Sequence, residues 1–122
     1  MKTLITLAGR TKMIKARAGV AALPPITQIA LGDGGVDENG NVLEPSDTLQ
    51  HELIRRDVNS IVKVTETCYR FSLILTENEL VDAEITEMAL VDSEGDIVSV
   101  KNFKPKIKDE GMEMTFQMDD TF

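Results

Sequence analysis

The fold is decided by the stretch from Ala83 to Phe103, AEITEMALVDSEGDIVSVKNF. Two runs of apolar and β-branched residues, 83–91 and 97–103, flank the five residues 92–96, which include Gly95. Strand-like runs separated by three to five residues with a glycine are typical of a β-hairpin. The stretch therefore predicts two neighbouring antiparallel strands and a fold built on antiparallel β structure.

Four further runs have strand character, on both sides of this hairpin. The first two are residues 26–31 and 58–64, which are apolar or β-branched. The other two alternate apolar and polar residues with the period of a strand buried on one face. The alternation places Tyr69, Phe71, Leu73 and Leu75 on one face of the first, and Met112, Met114, Phe116 and Met118 on one face of the second. We expect these two faces to form core.

Helix signals are confined to the first half of the chain. Thr11 can cap a helix over 11–20, with Gly19 as its stop. Residues 36–47 have the composition of a loop, after which Ser46 or Asp47 can cap a helical turn over 48–52. We therefore predict an α+β, mostly β fold: an N-terminal helix followed by an antiparallel sheet or β-sandwich of about five to seven strands. The 122 residues are expected to form a single domain, with a helical or extended arm over 1–25 and a β-rich body over 26–122.

Charge is unevenly distributed along the chain. The net charge is −8, which disfavours nucleic acid and anionic membranes as partners. Residues 1–20 carry five basic residues and no acid, whereas residues 33–52 carry six acids and no Lys or Arg. These are either two solvated faces or two parts of a docking surface. The candidate interface residues are Arg10, Lys12, Lys15, Arg17, Asp33, Asp37, Glu38, Glu52 and Arg55, with Lys2, Glu44 and Asp47 completing the two charged stretches.

The sequence lacks the residues of a common catalytic or zinc site. His51 is the single histidine, Cys68 is the single cysteine, and no G-x-S-x-G motif is present. One Cys and one His cannot supply the four ligands of a structural zinc site. No apolar run approaches the length of a membrane span, and the N-terminal apolar run is broken at Thr6 and Arg10, too early for a secretory signal. We predict a non-enzymatic protein without metal or cofactor, made in the cytoplasm.

Calcium binding is the alternative to a purely structural role. The loop Asp33–Asn41 is rich in Asp, Asn and Gly, and Asp92, Glu94 and Asp96 form a second alternating set of acids. Neither set has the spacing of an EF-hand, and turn formation explains both, because Asp and Asn side chains bond their own backbone. A small β-rich module that uses the Asp33–Asn41 loop for calcium or a small polar ligand remains the second hypothesis.

Three sets of residues, in order, resemble the motifs of the phage tail-collar fibre domain, the N-terminal domain of many tail-fibre proteins. The run 26–35 resembles its T-x-x-A-x-G-D-G motif, and Thr48, Leu49, Glu52 and Arg55 follow a proline-bearing loop as in its T-x-L-x-x-E-x-x-R motif. Residues 85–92, 95–98 and 102–105 are similar to its I-x-E-x-G-L-F-D, G-x-L-I and N-F segments. The sequence departs from the pattern at Ala89, where the family usually has glycine, and around Asp82 and Ala83, where a glycine is often found.

The resemblance implies a structural component of a phage or prophage tail, located in the virion tail. In the family this domain is taken to attach the fibre to the tail or baseplate, so the expected partners are other tail or baseplate proteins. Fibre proteins of this kind are typically trimeric, which favours a homo-oligomer. A shaft and a tip usually follow the domain, whereas the sequence ends at residue 122, so we expect an anchor whose shaft is reduced or encoded separately.

Overall fold

The computed structural model describes residues 3–122, so Lys2 of the basic stretch lies outside the described residues. The elements share a simple order, one strand, one helix and then seven strands. They are β1 (Thr3–Ile5), α1 (Leu7–Arg17), β2 (Ile26–Gly32), β3 (Glu52–Asp57), β4 (Ser60–Thr65), β5 (Cys68–Leu75), β6 (Glu84–Asp92), β7 (Ile97–Ile107) and β8 (Met114–Thr121).

The strands form two antiparallel sheets. The larger sheet has the order β1-β7-β6-β2-β3, and the smaller has the order β4-β5-β8. The predicted α+β, mostly β class with an N-terminal helix is confirmed. The described residues contain eight strands, more than the five to seven expected, because the short β1 and the charged β3 were not predicted. The hairpin at 92–96 joins β6 and β7 as predicted, with Gly95 at φ +86°.

The core lies between the two sheets. Its fully buried side chains come from β2, β5, β6, β7 and β8, and include Leu31, Leu73, Leu90 and Met118. A second apolar cluster lies on the opposite face of the larger sheet, where Leu49 from the β2–β3 loop covers small side chains such as Ala30 and Ala89. The middle strand β6 is therefore buried on both faces, which accounts for its uninterrupted apolar run over residues 88–91.

Helix α1 begins earlier than predicted. Its N-cap is Thr6 instead of Thr11, and the Thr6 hydroxyl accepts a hydrogen bond from the Gly9 amide at 3.0 Å. The same hydroxyl donates to the Ile97 carbonyl at 2.7 Å, which fixes the start of the helix against β7. The helix closes with Ala18 as its C-cap, followed by Gly19 at φ +75°, in agreement with the predicted stop.

Three other local predictions require correction. Residues 48–52 form no helical turn, because Leu49 is buried against the larger sheet and β3 already begins at Glu52. The run 58–64 is not one strand, since Val58 and Asn59 connect β3 to β4. The inward faces of β5 and β8 are correct at Phe71, Leu73, Leu75, Phe116 and Met118, but Tyr69 and Met112 are exposed by 44% and 60% because they lie at or beyond strand ends.

Replacement of Phe116 by alanine tests the face assigned to β8. Phe116 is buried and its ring lies 6.2 Å from that of Phe103, whereas the neighbouring Gln117 is exposed. Phe116→Ala should lower the free energy of unfolding by about 3–5 kcal/mol, as core aromatic truncations do. Gln117→Ala is the control and should change it by less than about 0.5 kcal/mol in the same urea melts. Equal, small effects would show that the face is wrongly assigned.

Candidate functional site: the loop platform between β2 and β3

The connection between β2 and β3, residues 33–51, is the longest irregular segment between described elements. Its one regular feature is an isolated antiparallel bridge between Val36 and Val42. Loops of this length inside compact domains are uncommon and are often functional. We call residues 33–51 the loop platform.

A buried carboxylate holds both ends of the loop platform. Glu87 lies in β6 and is 1% exposed. Its Oε2 accepts hydrogen bonds from the amides of Gly34 at 2.8 Å and His51 at 2.9 Å, and its Oε1 accepts one from the amide of Gln50 at 2.8 Å. Within residues 3–122, Glu87 forms no ion pair with a basic residue, so backbone N–H groups alone offset the cost of its burial.

Two glycines let the loop backbone approach β6 closely. A Cβ atom at Gly34 would lie 2.6 Å from the Cβ of Gln50, and one at Gly35 would overlap the carbonyl oxygen of Thr86. The amide of Gly35 donates to the Thr86 hydroxyl at 2.8 Å. Close packing therefore requires glycine at both Gly34 and Gly35, because a side chain at either residue would push the loop away from Glu87.

Other side chains fix the middle of the platform. The Oδ1 of Asp37 accepts hydrogen bonds from the amides of Asn39 and Asn41, each at 2.9 Å. These hydrogen bonds, the one from Asn41 above all, hold the pKa of Asp37 below its usual value. The side-chain amide of Asn102 on β7 donates to the Leu43 carbonyl at 3.0 Å. The carboxylate oxygens of Asp37, which a calcium ion would need as ligands, thus already accept the hydrogen bonds that form the turn.

The platform also contacts the start of the helix. Asp47 accepts a hydrogen bond from the Leu7 amide at 2.9 Å, through its Oδ1. A carboxylate is favourable there because the helix dipole is positive at its N-terminus. Asp47 therefore stabilises α1 instead of a helical turn over 48–52.

Lys12, a predicted interface residue, forms ion pairs within the chain. Its Nζ lies 2.6 Å from Asp92, 2.7 Å from Asp96 and 3.0 Å from Glu94, all in the β6–β7 turn. An ammonium has three N–H donors, so these three carboxylates satisfy it. Burial lowers the pKa of Lys12, but the three carboxylates outweigh burial and raise it above its usual value. The alternating acids of the turn therefore bind this lysine.

The remaining predicted interface residues fall into three groups. Asp33 pairs with the exposed His51 at 2.5 Å, and Glu52 pairs with Arg55 at 2.9 Å, while Arg55 also donates to the Gly95 carbonyl. Asp37 and Glu38 lie on the platform, Asp37 partly buried and Glu38 exposed. The exposed side chains of Arg10, Lys15 and Arg17 on α1 form no hydrogen bond or ion pair within the described chain.

No candidate reactive or metal-binding constellation is assembled among residues 3–122. His51 contacts Asp33 on the surface, and Cys68 is buried with the Thr121 hydroxyl donating to its sulfur at 3.1 Å. The described residues contain no group of three His, Cys, Asp or Glu side chains arranged to hold a metal ion. In the same part of the chain no helix is long and apolar enough to cross a membrane.

Sequence reasoning did not single out Glu87 or Thr6 as structural anchors. An acid directly before the apolar run 88–91 was the available signal for Glu87, since a buried charge requires compensating donors. Thr6 gave no comparable signal, because its second partner, Ile97, is distant in sequence.

The fold and the loop platform define the chain as a β-sandwich domain that presents a long loop held by buried polar groups. Its sequence matches the family described as phage tail-collar fibre protein, N-terminal, over residues 1–119 of 122. The chain belongs to this family, and this sets it among the structural components of phage tail fibres. No curated protein and no solved structure matches the chain.

Replacement of Glu87 by glutamine tests the anchoring of the platform. Glutamine has one oxygen in place of two, so at least one buried backbone N–H would face the new amide group without an acceptor. We expect Glu87→Gln to lower the free energy of unfolding by about 2–4 kcal/mol, measured by urea melts. Glu84→Gln on the exposed start of β6 is the matched control and should be nearly neutral. Equal effects of the two changes would contradict the assigned role.

The ion cluster around Lys12 predicts a defined pH dependence. Burial raises the pKa of Asp92, but bonds from Lys12 and from the amides of Asp96 and Glu94 outweigh burial and lower it overall. A pKa that is lower in the folded state stabilises the fold above about pH 4 and loses that effect as the pH falls through the folded value.

Asp92→Asn measures that contribution directly. At pH 7 it should lower the free energy of unfolding by about 1.5–3 kcal/mol, as expected for a hydrogen bond to a charged group. The difference from wild type should shrink as the pH falls from about 4 through the lower pKa of Asp92 in the folded state, below which Asp92 is protonated in both states. A difference that stays constant from pH 7 to pH 2.5 would show that charge is not involved.

Proposed function

We propose that this chain is the attachment domain of a phage or prophage tail fibre. It anchors the fibre to the tail or baseplate by binding another tail protein, and it has no enzymatic activity. In this proposal it is made in the cytoplasm of the bacterial host and acts in the assembled virion tail, as part of a homo-oligomeric, trimeric fibre. The observation that carries the proposal is the buried Glu87 carboxylate, whose hydrogen bonds fix the exposed loop platform.

A loop fixed before binding suits attachment. Association costs free energy when loops and side chains must be ordered, and a loop held in one conformation avoids much of that cost. In the platform, Glu87 binds both ends, Asp37 closes the inner turn and Asn102 holds the backbone at Leu43. Buried polar side chains thus hold the loop platform in place on the surface of the domain.

The surface of the platform has the composition of a binding site. Val42 and Leu43 are 41% and 40% exposed and lie beside the acids Asp37 and Glu38. An apolar centre with charged residues at its rim is typical of a protein interface, and the charges at the rim contribute to the specificity of binding. We therefore expect the docking surface on the tail protein to be apolar with basic residues around it.

Incorporation into particles tests the proposal. The gene is replaced, in the phage or prophage that encodes it, by a Glu38→Lys, Leu43→Ser variant, and the chain is quantified in purified tail particles. Both side chains are exposed, so the fold should be retained, and incorporation should fall at least about tenfold through lost apolar contact and charge repulsion. Glu110→Lys, an equal change of charge at an exposed residue outside the platform, should be incorporated normally.

Full incorporation of the platform variant, with normal folding, would exclude the platform as the attachment surface. Absence of the wild-type chain from the particles would contradict the attachment function itself.

A further inference from the structure

An apolar groove lies on the surface between α1 and the smaller sheet. The groove runs from α1, past the segment that leads into β2, to the exposed strand β4. Its apolar walls are Leu23, Pro24, Ile26, Ile61, Tyr69 and Phe122. Four of these side chains are large and substantially exposed: Leu23 by 53%, Ile61 by 50%, Tyr69 by 44% and Phe122 by 64%. Contiguous exposed apolar side chains of this kind mark interaction sites.

Asp120 is an unpaired carboxylate in the floor of this groove. It lines both halves of the groove and is partly buried, and its side chain forms no hydrogen bond or ion pair within residues 3–122. Burial alone raises its pKa. Lys12 lines the same groove but is saturated by Asp92, Glu94 and Asp96. The domain therefore keeps a poorly solvated negative charge among apolar side chains without a partner of its own.

The outer face of α1 has the complementary chemistry. Leu7, Arg10, Ile14 and Arg17 are spaced by three, four and three residues, which places them on one side of a helix. All four are exposed, Leu7 by 59% and Ile14 by 60%. The opposite side of the helix, with Gly9 and Lys12, packs on the domain. This face therefore combines apolar side chains with unpaired positive charges.

We infer that the outer face of α1 in one copy binds in the Asp120 groove of a second copy of this chain. Leu7 and Ile14 then cover the apolar walls, and Arg10 or Arg17 supplies the cation that Asp120 lacks. The helix and the groove are different surfaces of one chain, so the contact is head-to-tail, and such contacts produce closed rings when the rotation between copies closes.

The groove is separate from the loop platform, which meets the outer face of α1 only at Leu7 through Asp47. Several acids of the platform and of β3 already have partners within the chain: Asp33 binds His51, Asp37 closes its turn, and Glu52 binds Arg55. Glu38 is exposed to solvent, whereas the side chain of Asp120 is partly buried and has no partner among residues 3–122. Charge complementarity therefore favours the groove over the platform as the acceptor for the basic helix.

Light scattering coupled to size exclusion, with sedimentation equilibrium on the full chain, tests the inference. Wild type should form a defined multiple of the 13.5 kDa chain with increasing concentration. Asp120→Asn and the double variant Arg10→Glu, Arg17→Glu should each weaken self-association by at least about 30-fold, as loss of a desolvated charge pair does. Glu113→Gln and Lys15→Glu, exposed residues outside the groove and the outer face, should change it by less than about threefold.

Two further measurements separate the contact from folding. Asp120→Asn removes a poorly solvated charge, so the melting temperature of the dilute monomer should stay the same or rise. Asp120→Lys and the double helix variant should each be monomeric alone, and their equimolar mixture should form heterodimers, since the reversed helix face of one variant then meets the reversed groove of the other. A wild-type chain that stays monomeric at millimolar concentration, or an assembly insensitive to both changes, would overturn the inference.

Discussion

The structure depends on one interaction, the set of three hydrogen bonds that the buried Glu87 carboxylate accepts from the backbone of the β2–β3 loop. A carboxylate inside a protein is strongly unfavourable unless its oxygens are bonded. Here the donors lie at the two ends of one loop, Gly34 on one side and Gln50 and His51 on the other. The same group therefore satisfies its own charge, closes the loop and fixes where β3 begins.

The sandwich is arranged around the strand that carries this carboxylate. One face of β6 contributes to the core between the sheets, and the other is covered by the loop through Leu49. Small side chains are needed on the covered face, which explains why Ala89 fits where the family usually has glycine: it is fully buried against Leu49 and Val100. The departure from the family pattern thus retains the small volume that the loop requires.

The sequence predicted the elements whose signals are local. The β6–β7 hairpin has its turn residues between two strand-like runs, and β5 and β8 alternate clearly enough to assign Phe71, Leu73 and Phe116 to the core. The composition of residues 36–47 was also sufficient to predict a loop there. Strand β3 was missed because it is charged, and its Glu52–Arg55 pair lies on the surface. Strand β1 was missed because a strand of three residues is too short to show a recognisable alternation of apolar and polar residues.

Features of the candidate site that depend on distant contacts could not be predicted. Thr6 caps α1 while bonding to Ile97, and Lys12 binds acids eighty residues away in the β6–β7 turn. Charge runs named Arg10, Lys12 and Arg17 as candidate interface residues, but they could not show that Lys12 forms its ion pairs within the chain. Asp120 gave no signal, since its isolation is a property of the groove and not of its neighbours in sequence.

We expect Glu87 to make the loop platform as rigid as the sandwich that supports it. Native-state amide hydrogen exchange measures this directly, because protection of a hydrogen-bonded amide reports the free energy needed to open it. The amides of Gly34, Gln50 and His51 should be protected to nearly the same extent as amides in the middle of β6. Exchange of these three amides at the rate of an unstructured chain, with β6 still protected, would contradict this expectation.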